Sequence, residues 1–324
     1  MVNNLGTNGV SFAKFDYGYD TVDRRTFVKR DSSLGDVFKY DQIDQVTNVL
    51  YNASNPDSSP SGATNSVFYV HDSVGNRTSV TDGGSSTSYT PNNLNEYTAV
   101  GAVSPTYSTD GNLITYGNWS YAYDSYNRLT GATNISASVS ASFNYDGRNR
   151  RVKQSLNGTN TFFYFDGLAT PNGGGWNLIQ EHNSSNTELN SYVHGAKIDE
   201  LLVKVNGGGS VYYHQDSIGN TVALTGSGGA VVEKVSYGIY GTPSFTDGSG
   251  TPIAGTAYDN RFLFTGREYI AELEIYDYRE RPYIPELGRF PTPDPIRFDS
   301  GDYNIYRYVG NNPTNATDPK HRCA

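Results

Sequence analysis

One cysteine, Cys323, and one methionine stand in 324 residues, so the chain has no internal disulfide and no cysteine metal site. No apolar run reaches the length of a membrane span. The first residues, MVNNLGTNGVSFAKF, lack a basic region followed by an apolar one, so no secretory leader is read there. Basic stripes are missing too. The net charge is −9 and spread along the chain, which argues against a nucleic-acid surface. Helical periodicity with caps is absent throughout. The histidines (His71, His182, His194, His214, His321) are scattered without ligand spacing, so no metal or other cofactor is expected. The glycine runs Gly173–Gly175 and Gly207–Gly209 do not follow a strand-to-helix layout, so neither reads as a phosphate loop.

What is abundant is tyrosine (27, against 14 phenylalanines), glycine (35), asparagine, serine and threonine. Tyr and Thr suit pleated surfaces, and Asn and Gly suit turns. Apolar residues are few for a dry core, so the buried surface is expected to be carried by Tyr rings with hydrated hydroxyls. Tyr121 and Tyr123, two apart on one strand, read as lining of a wall in preference to a sugar-stacking ladder.

Six stretches align on the Asp of a Tyr-Asp-like step. They are Asp20-Thr-Val-Asp-Arg24, Asp41-Gln-Ile-Asp-Gln45, Asp72-Ser-Val-Gly-Asn76, Asp124-Ser-Tyr-Asn-Arg128, Asp146-Gly-Arg-Asn-Arg150 and Asp216-Ser-Ile-Gly-Asn220. Degenerate copies lie in Tyr89–Thr98 and Tyr107–Ile114. A leading Asp accepts a backbone N–H two residues on and nucleates a type I turn. Three residues later the chain must pass through positive φ to re-enter the partner strand, which Gly, Asn and Asp tolerate. Each copy therefore reads as strand, turn, strand. One hairpin is marginal alone, whereas stacked hairpins share edges and a buried face. The prediction is all-β: a single large sheet of antiparallel hairpins that twists, curls and encloses a cavity. The polar stretches Tyr51–Ser66, Leu168–Leu178 and Phe245–Asn260 read as insertions between hairpins.

After Asn260 the texture changes. A YDYR strand, a GRF…PDPI turn and a closing YRYVGNNPTNATDP follow in order. Upstream stand TFFYFDG…WNLIQEH, YVHGAKIDELL and YYHQDSIGNTVALT (Tyr212–Thr225). From about Asp16 to Pro319 this order resembles Rhs and YD-repeat proteins with their repeat-associated core domain. The resemblance implies a hairpin shell over residues 1–260 and a plug-like core domain over 261–324. It further implies a spiralling wall that encloses or presents a polypeptide, in toxin delivery or at a cell surface, on a secreted or surface-exposed protein. Its partners would be a C-terminal polypeptide cargo or upstream repeat segments, with surface glycans as a further option.

In several members the core domain is also an aspartyl autoprotease. That motif falls on Asp294 in PDPI, Asp318 in TDPK and Arg281 in YRERPY. Two carboxylates sharing a proton would activate water and protonate a peptide carbonyl, with the guanidinium orienting one of them. This sequence departs from the family at Arg297, where the first motif commonly carries Gly, and again at the second motif, which reads on through Lys320 and His321 with no Gly. It stops at Ala324, so no toxin domain of its own is expected. Asp-Pro also serves as a turn cap, the structural alternative for both aspartates. The leading expectation is thus a non-enzymatic shell. The alternatives are a single-turnover autoprotease and a carbohydrate-binding surface module. Because the chain is short for a closed cocoon, a partial or open shell with a free strand edge near the N-terminus is expected.

Overall fold

A computed structural model describes residues 2–5, 11–31, 33–167 and 175–318. The stretch 168–174, most of one expected insertion, lies outside the described residues. So do Pro319, Lys320, His321 and Cys323 of the C-terminal end.

Strands follow one another in space in the order of the sequence, each antiparallel to the next. They form a nine-stranded sheet from Val2 to Val100 and a fifteen-stranded sheet from Thr106 to Ile253. The expected single sheet is therefore two. The break falls at residues 101–105, where Gly101 has φ 55° and Pro105 has no N–H to donate to a ladder. The Tyr97 N–H donates to the Tyr107 hydroxyl across the gap at 3.3 Å.

Each of the six turns is built as its residue types dictate. In Asp124–Arg128 the Asp124 and Asn127 N–H groups close the loop on the Arg128 and Asp124 carbonyls, at 3.1 and 3.0 Å. Asp124 Oδ1 accepts the N–H groups of Tyr126 (2.9 Å) and Arg128 (3.1 Å). The fourth residue is left-handed in all six, as Asp23, Asp44, Gly75, Asn127, Asn149 and Gly219. A further contact was not read from the sequence: the fifth side chain bonds back to the second Asp oxygen. Arg24, Gln45, Asn76, Arg128, Arg150 and Asn220 all do this, at 2.7 to 2.9 Å. Successive turns also interlock. Arg24 reaches Asp44, Asn76 reaches Asn95 and Arg128 reaches Asn149. Phe245–Asn260, expected to be an insertion, holds another copy: Asp247 Oδ1 accepts the Ser249 and Thr251 N–H groups, and Gly250 has φ 94°.

Strand faces alternate. In Val139–Tyr145, Ala141 and Phe143 are buried between exposed Ser140, Ser142 and Asn144. Residues 261–318 pack against the inward faces of both sheets. A three-stranded sheet (Glu268–Ile270, Ile275–Asp277, Pro282–Tyr283) carries Tyr276, Tyr278 and Tyr283 into a fully buried cluster with Phe290 and Tyr308. Tyr283 and Tyr308 lie 4.7 Å apart, and Tyr278 meets Phe290 edge-on at 5.9 Å. The cluster packs on Phe15, Phe38, Val49 and Tyr69 of the first sheet and on Val235 and Tyr240 of the second.

Tyr rings do carry the core, and in the central cluster their hydroxyls bond to protein groups. Tyr276 donates to the Gly241 carbonyl (2.7 Å), Tyr283 to that of Tyr240 (2.9 Å), and Tyr278 and Tyr308 bond to each other (3.0 Å). Burial holds the Tyr276, Tyr283 and Tyr308 phenols well above their ordinary pKa. Tyr121 also faces inward, packed with Ile270, Leu273 and Leu287, and Tyr123 packs against the same cluster.

The wall does not close. Among the described residues Val2–Leu5 pairs only with Ser11–Tyr19, and Pro252–Ile253 only with Pro243–Asp247. The described strands form the open shell expected from the sequence. The two sheets face each other across a cavity of about 440 Å³ lined by Phe15, Tyr17, Val28, Val222 and Val235. Arg25 Nη2 to Ser217 Oγ at 3.0 Å and the Ile239 N–H to the Tyr51 hydroxyl at 2.8 Å join the sheets beside it.

Candidate functional site

The three residues read as protease candidates come together. Arg281 leaves the turn after Ile275–Asp277, where Arg279 takes φ 71° and the Tyr278 N–H bonds to the Arg281 carbonyl at 3.0 Å. Its guanidinium lies 3.6 Å over the Phe290 ring, and Nη1 donates to the Ile305 carbonyl at 3.3 Å. Nη2 stands 3.1 Å from Asp294 Oδ2 and 3.6 Å from Asp318 Oδ2. All three side chains are sealed from solvent, at 1 to 3% exposure.

Asp294 is fixed on both flanks. Its N–H donates to the Ile305 carbonyl (2.9 Å), Oδ1 accepts the Ile296 N–H (3.0 Å), and its carbonyl accepts the Arg297 N–H (2.8 Å). The turn-cap geometry expected of Asp-Pro is thus present at Asp294, beside the ion pair. Burial lifts the Asp294 carboxyl above the ordinary carboxylate range. Arg281 opposes that rise, and the Asp318 charge adds to it. Two carboxylates on one buried cation carry one negative charge in excess, so a proton shared between them neutralises the group.

Two members of the site were not read from the sequence. Phe290 forms the floor beneath Arg281, and Arg267 Nη2 donates to the Asp318 backbone carbonyl at 2.9 Å. Arg267 is itself held by Asp199 Oδ2 at 3.2 Å. Asp318, Arg267 and Asp199 line a cleft of about 870 Å³ with Thr265 and Thr317.

The seam between wall and plug was also missed. In three of the six turns the fifth residue is an amide whose oxygen accepts from the plug. Gln45 Oε1 accepts from Asn311 (2.8 Å), Asn76 Oδ1 from Asn304 (2.8 Å) and Arg289 (3.2 Å), and Asn220 Oδ1 from the Thr265 N–H (2.8 Å). In the other three turns that residue is Arg. Elsewhere the seam is ionic. Glu268 bonds Arg151 and, at 2.6 Å, Arg261.

His71 stacks on Tyr69 and is pushed down to about 4 by burial, while His194 Nε2 lies 2.8 Å from the Leu178 carbonyl. His214, expected to be a packed ring, is half-buried with Nε2 2.9 Å from Thr225 Oγ1.

A family model described as Teneurin YD-shell matches residues 26–314. The tRNA3(Ser)-specific nuclease WapA of Bacillus spizizenii is 31% identical over 261 residues, which is 78% of this chain and 11% of that protein. Danio rerio Teneurin-3 is 25% identical over 223 residues, 67% of this chain and 8% of its own. The Photorhabdus luminescens Tc holotoxin pore superposes with a TM-score of 0.73 at 16% identity, covering 98% of this chain and 17% of that one. The TcdB2-TccC3-Cdc42 crystal structure does so at 0.72 and 18%, covering 97% and 17%. These structural likenesses speak to the fold. The chain spans about a tenth of the length of the curated relatives it matches. With its turn-by-turn wall wrapped on an aromatic plug, and with the family model matched over most of its length, the chain belongs to the Teneurin YD-shell family.

Proposed function

We propose that this chain is a structural wall-and-plug unit of an Rhs/YD-repeat shell that encloses or presents a polypeptide. In this reading residues 1–260 are the wall and 261–324 the core domain that closes it. The observation that carries it is the seam: Gln45, Asn76 and Asn220 each spend one side of a turn amide on the wall and the other on the plug. A wall locked in this way is a container element, and in this reading the protein is secreted or surface-exposed. The names of the WapA nucleases and of the Tc holotoxin favour a toxin-delivery setting over a cell-surface interaction role. No helix among the described residues is long and apolar enough to cross a membrane. The test is a flexible reporter peptide appended after Ala324 and challenged with trypsin. Protection of the reporter supports enclosure. Its rapid loss from an intact wall supports presentation. Digestion of wall and plug as fast as the reporter contradicts both.

The burial of Asp294 and Asp318 around Arg281 favours a second reading, a single-turnover aspartyl autoprotease acting on the chain's own C-terminal segment. Intact mass of the wild type beside Asp318→Asn tests it. A tail clipped only in the wild type is expected, and two intact masses would remove the reading.

A further inference from the structure

On the strands from Trp119 to Leu156 the outward residues are small and polar, among them the facing pairs Ser120–Thr133 and Ser142–Ser155. The next five strands depart from this. They are Thr159–Phe165, Leu178–Asn183, Glu188–His194, Leu201–Asn206 and Gly209–Gln215. Their inward side is an ordinary core, with Phe163, Tyr192, Leu201 and Tyr213 buried. Their outward side is apolar as well. Tyr164, Ile179, Val193, Leu202, Val205 and Tyr212 stand there, each 39 to 51% exposed.

The strand register makes these side chains one continuous patch. Val193 lies opposite Val203, and Val203 opposite Tyr212, while Val205 sits two residues further along the same strand face. Bulges after Tyr164 and after Val193 insert Ile179 and Leu202 as extra outward residues. No Asp, Glu, Lys or Arg stands between them on this face, and Glu188 marks its border. The first sheet offers a contrast. Phe68 is 48% exposed there, but it stands between Asn48 and Thr81, a single apolar residue of the kind any surface carries.

We propose that this outer face is the docking surface for a second copy of the chain, sheet against sheet across a two-fold axis. Six large side chains at that exposure leave roughly 500 Å² of contiguous surface, the upper end of what a monomer shows. A standard interface buries about 800 Å² on each partner, a little over half of it apolar, so the patch supplies the apolar share of one. A two-fold pair sets one face against itself, and any charge near its centre then meets a like charge. This face carries none there, which makes it compatible with its own copy. Pleated faces stack about 10 Å apart with their side chains interdigitating, and Val, Ile, Leu and Tyr suit that packing. The plug lies on the opposite side of these strands, where Phe262 packs on Phe163 and its neighbours, so the pairing leaves the wall-and-plug unit as it is.

Analytical ultracentrifugation of the full chain, from micromolar to hundreds of micromolar, tests the proposal. The mass rises with concentration from one chain to two. Val193→Lys sets an ammonium at the centre of the patch and weakens self-association at least about tenfold. Tyr212→Ser weakens it as well, and serves if the first variant does not fold. Phe68→Lys, at a position as exposed but on the other sheet, leaves it unchanged. A single-chain mass at every concentration overturns the proposal. So does a dimer indifferent to Val193→Lys and Tyr212→Ser, as one paired edge to edge through Val2–Leu5 would be. A dimer weakened equally by Phe68→Lys overturns it too. A monomer that floats with neutral phosphatidylcholine vesicles assigns the face to a lipid surface and overturns it likewise.

Discussion

Aspartate serves two opposite ends in this molecule. On the rim, Asp124 is partly wet and is locked by Arg128 four residues away. In the plug, Asp294 and Asp318 are sealed around an arginine that the fold must bring to them. The rim is stabilised locally and repeatedly, so each turn adds a small increment. The plug is stabilised by groups that meet only when the whole ribbon has curled, so its parts form together or not at all.

That contrast fails first, if it fails, at Arg281. Arg281→Ala leaves two buried carboxylates without their cation and uncovers Phe290, at a cost of about 3–5 kcal/mol in urea unfolding. A cost under about 1 kcal/mol, the range of exposed pairs, would place the site with the rim. The seam is intermediate. Asn76→Ala strips acceptors from buried Arg289 and Asn304 and is expected to cost about 1–3 kcal/mol. Smallest is Asp124→Ala, about 1 kcal/mol, the scale of a lost capping side chain.

The Asp124 contribution also has a pH signature. Partial burial raises its pKa, but the Arg128 side chain and the Arg128 and Tyr126 N–H groups outweigh that and hold it below the ordinary value. A depressed folded pKa means the contribution is complete above the unfolded value of about 4 and fades as pH falls through the folded one. The stability gap between wild type and Asp124→Ala should therefore close on acidification. A gap unchanged down to pH 2 would contradict the assigned hydrogen bonds.

Much of the rim was legible because its determinants lie within five residues of one another. An Asp, then a Gly, Asn or Asp three places on, suffices to place the turn and its positive φ, as at Asp216 and Gly219. The copy at Asp247 was overlooked because its flanks, Gly, Ser and Thr, look like a loop. The break at residues 101–105 turns on one glycine and one proline inside a longer pattern. The seam was illegible for a different reason. Asn76 and Asn304 are 228 residues apart, and no local rule pairs them. Resemblance brought Arg281, Asp294 and Asp318 into view together. Arg267 belongs to no motif, and its part follows from where its guanidinium ends, on the Asp318 carbonyl.

The central claim is that wall and plug are one cooperative body. Hydrogen–deuterium exchange resolved by peptide tests it most directly. The account predicts that amides of residues 275–308 exchange as slowly as those of wall strands such as Val139–Tyr145, and that both open together as urea is added. Rapid exchange across 275–308 beneath a wall that stays protected would contradict it.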